Sequence, residues 1–116
     1  MIAKTPSPPY YAVIFTSLKF PESEGYHEMA ERMAELAATQ PGYLGYESAR
    51  DEIGITVSYW ENLDSIRNWK QNLEHLEAQR KGKENWYVQY KARICKVERD
   101  YGFELALATE KSRISK

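Results

Sequence analysis

The chain has 116 residues, enough for one domain that buries a core without disulfide or metal staples. Sixteen Lys and Arg against seventeen Asp and Glu leave a net charge of −1, which removes any electrostatic argument for a nucleic-acid or anionic-membrane partner. A single cysteine, Cys95, excludes an internal disulfide framework and a multi-cysteine metal site, and no apolar run reaches the roughly 20 residues of a membrane-spanning helix. The N-terminus shows no signal-peptide pattern, so the expected location is the cytoplasm.

Residues 1–9, "MIAKTPSPP", hold three prolines and little that packs, and read as an extended lead-in. A strand is expected over "YYAVIFTSLKF" (10–20). One of its faces carries Tyr11, Val13, Phe15 and Ser17, the other Ala12, Ile14, Thr16 and Leu18. Both faces are largely apolar, as befits a strand whose sheet is covered on both sides. Tyr26, Met29, Ala30, Met33, Leu36 and Ala37 then form the stripe of an amphipathic helix with a Met-rich core face, stopped by "QPG" at 40–42. "YLGYESAR" (43–50) and "ITVSYW" (55–60) predict an antiparallel hairpin turning around Asp51 to Gly54. Asn62 is a candidate N-cap for a second helix bearing Leu63, Ile66 and Trp69. Asn72 is read as a restart that places His75 in a new first turn, with Gly82 or the segment after it closing the helical region. "YKARICKVERDY" (90–101) is the expected last strand, and residues 104–116 a tail outside the 10–103 domain.

The order β-α-β-β-α-β predicts an α+β, ferredoxin-like sandwich: a four-stranded antiparallel sheet with both helices on one face. Nothing else in the chain is expected to cover the other face. A second copy packed sheet against sheet is the economical cover, so a homodimer through that face is expected.

The stretches "QPGYLGYES", "ITVSYWEN", "IRNWKQNLEHLEAQRKGKENWY" and "ARICKVERDYGF" resemble the antibiotic biosynthesis monooxygenase family of dimeric α+β barrels. The resemblance covers about residues 10–103. It implies a small dimeric protein using O₂ on an aromatic, phenolic or quinol-like molecule without a tightly bound cofactor. It also places Trp69 where heme-degrading members have a pocket tryptophan. Their iron-ligating histidine falls here on Gln79 and their first-strand asparagine on Thr16, so heme degradation is not expected. The resemblance places His75 where several non-heme members have a histidine.

A neutral imidazole at His75 would take a proton from an electron-rich substrate, and a helix N-terminus would disfavour its charged form. Trp69, Trp86 and Tyr87 either stack on a flat ligand or fill the core beneath a helix, and Trp60 is either pocket floor or core. Phe15 and Thr16 occupy opposite strand faces, so only one of them can look into a pocket between sheet and helices. No GxGxxG, P-loop, HExxH, CxxC or GxSxG pattern is present, which gives no support for a flavin, nicotinamide or metal site. A cofactor-independent monooxygenase is therefore expected. A non-catalytic binder of a small ligand or heme, and a Tyr-rich dimerisation module, are the rivals.

Overall fold

The structure, a computed structural model, describes residues 1–21, 25–80 and 86–105, with the side chains of 75–80 outside that description. The elements run β1 (Tyr10–Lys19), α1 (Tyr26–Ala38), β2 (Tyr43–Arg50), β3 (Gly54–Trp60), α2 (Leu63–Arg80) and β4 (Tyr87–Val97). The strands form one antiparallel sheet in the order β2-β3-β1-β4. Tyr11 and Val13 of β1 pack with Leu36 and Ala37 of α1 and with Ile66, Trp69 and Leu73 of α2, so both helices lie on one side. This is the expected α+β, ferredoxin-like arrangement.

Local chemistry explains the helix boundaries. Thr39 Oγ1 and Gln40 Nε2 donate to the Leu36 carbonyl and occupy an acceptor at the end of α1, just before Pro41. Gly42 follows at φ 84°, a left-handed conformation suited to glycine. A Cβ there would lie 2.1 Å from Ser65 Oγ, so Gly42 also lets the start of β2 press against the first turn of α2. Asn62 caps α2 as expected, its Oδ1 accepting from the Ser65 amide at 2.8 Å.

Two expected boundaries change. The second helix is not split: α2 runs unbroken from Leu63 to Arg80, and Asn72 lies inside it. Its side chain does not cap the backbone but donates sideways to Gln40 Oε1, at 2.9 Å, beyond the end of α1. The last strand starts at Tyr87 and ends at Val97 rather than spanning 90–101. The segments 81–85 and 106–116, where the close of the helical region and most of the tail were expected, lie outside the described residues.

Two irregularities set which side chains face the helices. Leu18 pairs with Gln89 and Lys19 with Tyr87, which leaves Val88 as the extra residue of a bulge. In the same way Tyr43 pairs with Trp60 and Gly45 with Tyr59, passing over Leu44. Each bulge shifts the alternation by one, so Tyr87 joins Tyr90, and Tyr43 joins Tyr46, on the helix side.

The other sheet face is partly covered by the lead-in, contrary to the expectation that residues 1–9 have little to pack. The Ala3 amide donates to Glu47 Oε2 at 2.9 Å, and Tyr59 donates to Glu47 Oε1 at 2.7 Å. Tyr10 donates to the Asp100 carboxylate and accepts from Thr5 Oγ1. Tyr10 and Tyr59 also meet edge to face at 5.9 Å. Leu18 and Ile55, further along this face, remain exposed.

Burial, and then the hydrogen bond to the Glu47 carboxylate, push the Tyr59 phenol up to about 12. The hydrogen bond to Asp100 is the main cause raising Tyr10. For Tyr59 the folded value lies above the unfolded value of about 10. Its contribution to stability is therefore complete below about pH 10 and is lost as pH rises through about 12. Urea unfolding between those pH values should show stability falling more steeply in the wild-type chain than in Tyr59→Phe. Equal slopes would remove Tyr59 as the cause.

Candidate functional site

The helix side of the sheet carries two separate aromatic groups. Near the start of α2, Trp60 has no accessible surface and stacks on Trp69 at 6.0 Å between ring centroids. Tyr43 meets Trp60 edge to face at 5.5 Å, and Trp60 Nε1 donates to Ser58 Oγ at 2.9 Å. This group has a satisfied polar atom and almost no surface left for a ligand. Burial also raises the Tyr43 phenol above its ordinary value.

The second group lies towards the other end of β1. Phe15 stacks on Tyr90 at 5.1 Å and meets Tyr87 at 5.6 Å, while Tyr87 and Tyr90 are also 5.6 Å apart. Tyr26 of α1 adds edge contacts to Tyr87 at 5.8 Å and to Trp86 at 6.3 Å. Met29 is buried with Trp86 and Tyr87, and Met33 closes the group from α1, as its helical stripe requires. Tyr90 keeps 36% of its surface and Ile94, further along the same side of β4, keeps 56%. An aromatic surface thus continues from the core to solvent.

The expected site residues therefore divide. Phe15, Trp86 and Tyr87 come together, whereas Trp69 and Trp60 belong to the other group, where both are buried. Thr16 projects to the opposite sheet face from Phe15, because its neighbours in register, Ile55 and Lys91, are on that face. His75 lies in the body of α2, its side chain outside the described residues. In a continuous helix, positions six apart are rotated by about 600°, or 240° net, so positions 69 and 75 do not share a face. The expected placement of His75 in a helix first turn, and its convergence with Trp69 across a restart, are both overturned by that continuity.

Tyr90, Tyr26 and Arg50 join this second group in the structure and were not among the expected residues. Tyr90 is hidden because simple alternation puts 87 and 90 on opposite faces, and only the Val88 bulge reunites them. Arg50 is exposed at the end of β2, yet its guanidinium donates to the buried Ser17 hydroxyl and, at 3.3 Å, to Tyr26 Oη. No group of three or more His, Cys, Asp or Glu among the described residues is arranged to hold a metal ion. No helix among them is long and apolar enough to cross a membrane.

Trp69→Ala should destabilise the chain by about 3–5 kcal/mol, the usual cost of removing a buried tryptophan. Urea unfolding measures it, and a loss below about 1 kcal/mol would contradict the core assignment.

Comparison with known proteins agrees with this fold. Residues 9–81 match the family model described as "Antibiotic biosynthesis monooxygenase". A Bacillus subtilis (strain 168) protein, "Uncharacterized protein YqjZ", is 52% identical over 105 residues, covering 89% of this chain and 92% of its own. Among solved structures, SnoaB, a cofactor-independent oxygenase from Streptomyces nogalater, superposes with a TM-score of 0.60 at 14% identity, over 85% of this chain and 99% of its own. PA3566 from Pseudomonas aeruginosa does so with a TM-score of 0.55 at 20% identity, over 83% and 99%. At these identities the structural likeness establishes the shared fold.

Proposed function

Because the chain belongs to the antibiotic biosynthesis monooxygenase family, we propose that it is a cofactor-independent monooxygenase acting on a small aromatic, phenolic or quinol-like molecule. The observation that carries this reading is the aromatic surface of Phe15, Tyr87 and Tyr90, which opens to solvent at Tyr90. Flat side chains with few rotatable bonds offer a flat ligand large contact area at low entropic cost.

The chemistry needs one proton removed and O₂ admitted. For an anthrone-type substrate, loss of a proton from its CH₂ gives an electron-rich anion that passes an electron to O₂. The two radicals combine as a peroxide, which loses water to leave a carbonyl. One oxygen atom enters the product and the other leaves in water, so O₂ is the only oxidant. The base we assign is His75. The chain has two histidines, and the other, His27, is 85% exposed and paired with Glu31 on the outer side of α1. A neutral imidazole can take the proton without help from a helix N-terminus.

The reading includes a homodimer through the sheet face opposite the helices, and a cytoplasmic location in keeping with the single unpaired thiol of Cys95. The lead-in covers only one end of that face, and the exposed Leu18 and Ile55 at the other end are suited to a second copy. Light scattering at micromolar concentration should give the mass of two chains, with an interface above roughly 1,200 Å². A folded monomer would rule the dimer out.

Oxygen uptake with an anthrone-type substrate, under labelled O₂, should place one labelled atom in the product. His75→Ala and His75→Gln should keep the fold and lower turnover by roughly 10²–10⁴-fold, the usual contribution of a positioned base. Unchanged turnover in both variants would remove His75 from the mechanism. Binding without oxygen uptake would favour the non-catalytic reading.

A further inference from the structure

We propose that Arg50 and Lys19 form an anion-recognition element beside the aromatic surface, so that the ligand it selects is a flat aromatic acid. This rests on the ligand-binding part of the reading above and not on its oxygen chemistry.

The argument begins with one cross-strand row. Arg50 of β2 pairs with Gly54 of β3, Gly54 with Ser17 of β1, and Ser17 with Tyr90 of β4. All four positions face the helices. Gly54 has no side chain, and a Cβ there would lie 2.2 Å from the Arg50 Cζ. The glycine therefore leaves a gap in which the guanidinium lies across β3 and donates to Ser17, which is only 3% exposed. Neighbouring strands are about 4.8 Å apart, so this places a fixed positive charge one strand from the Tyr90 position.

A second cation is close by. Lys19 Nζ lies 5.6 Å from the centre of the Tyr26 ring, and Arg50 Cζ lies 5.5 Å from the same centre. Tyr26 in turn touches Tyr87 and Trp86, so both cations border the aromatic group. Among the described residues, no carboxylate lies within salt-bridge distance of either one. The Arg50 side-chain contacts to Ser17 and Tyr26 are both made by Nη2, and the fork's other donors have no partner among the described residues. A carboxylate matches the planar guanidinium fork, and Lys19 adds a second positive charge at the same ring. With its acid group there, an attached ring system would extend along Tyr87, Phe15 and Tyr90.

The test is calorimetric binding of a naphthoate and of its uncharged carboxamide to the full chain at low ionic strength. The wild-type chain should bind the carboxylate roughly tenfold or more tightly than the carboxamide, in line with a charged hydrogen-bonded pair. Arg50→Gln should remove most of that preference. Arg50→Lys should restore part of it, since the charge returns without the fork. Lys19→Gln should reduce the preference independently, which keeps the test decisive if Arg50→Gln does not fold. Equal affinities in the wild-type chain, a preference that survives both neutral variants, or failure of both probes to bind would overturn the proposal. Carboxylate-selective binding without oxygen uptake would support this element while removing the monooxygenase reading. Oxygen uptake without selectivity would do the reverse.

Discussion

The stacking of Trp69 on Trp60 joins the second helix to the middle of the sheet, and the helix-side packing is arranged around that contact. Trp60 ends β3, where Tyr11 of β1 and Tyr43 of β2 flank it in register. The connection that follows has little freedom: the Glu61 amide donates to the Gly42 carbonyl at 2.8 Å, Asn62 caps the helix, and Gly42 leaves room for Ser65. The cap is local, while the other two contacts bring in Gly42, next to the start of β2. A helix docked this way has its axis set at its N-terminal end, and the Asn72–Gln40 hydrogen bond holds it to α1 a few turns later.

This anchoring separates two tasks along one face. The Trp60–Trp69 end is closed, with its indole nitrogen bonded and its rings buried, and its contribution is to stability. The Phe15–Tyr87–Tyr90 end is the one that meets solvent and carries cations at its border. Buried aromatics give a rigid platform because close-packed neighbours lock their rotamers, and the exposed member then presents a defined surface.

The opposite face is divided as well. At one end the lead-in is held by Glu47, which accepts from both the Ala3 amide and Tyr59, while Tyr10 joins Thr5 to Asp100. Charged acceptors give the stronger class of hydrogen bond, so a nine-residue segment without secondary structure still has a defined course. Cys95, paired with Ala12 on this face, is half-buried and behaves as a small apolar filler.

By itself the sequence determined the order of elements, the core face of α1, the hairpin and the Asn62 cap. All of these rest on periodicity and on groups within a few residues of one another. It also carried the family resemblance and the placing of Phe15 and Thr16 on opposite faces. Only the tertiary structure decided the rest. The Val88 bulge, which puts Tyr90 beside Tyr87, exists through pairing with β1 and leaves no periodic mark. Asn72 reads locally as a cap, but its amide is used by Gln40, 32 residues away, and the helix continues. Arg50 looks like a surface charge until Gly54 is seen beneath it and Ser17, 33 residues away, beside it. Local pattern fixes what an element is, because its hydrogen bonds close within a turn or a strand pair. Which side chains meet depends on register and docking, and those are set by contacts between distant residues that no local period encodes.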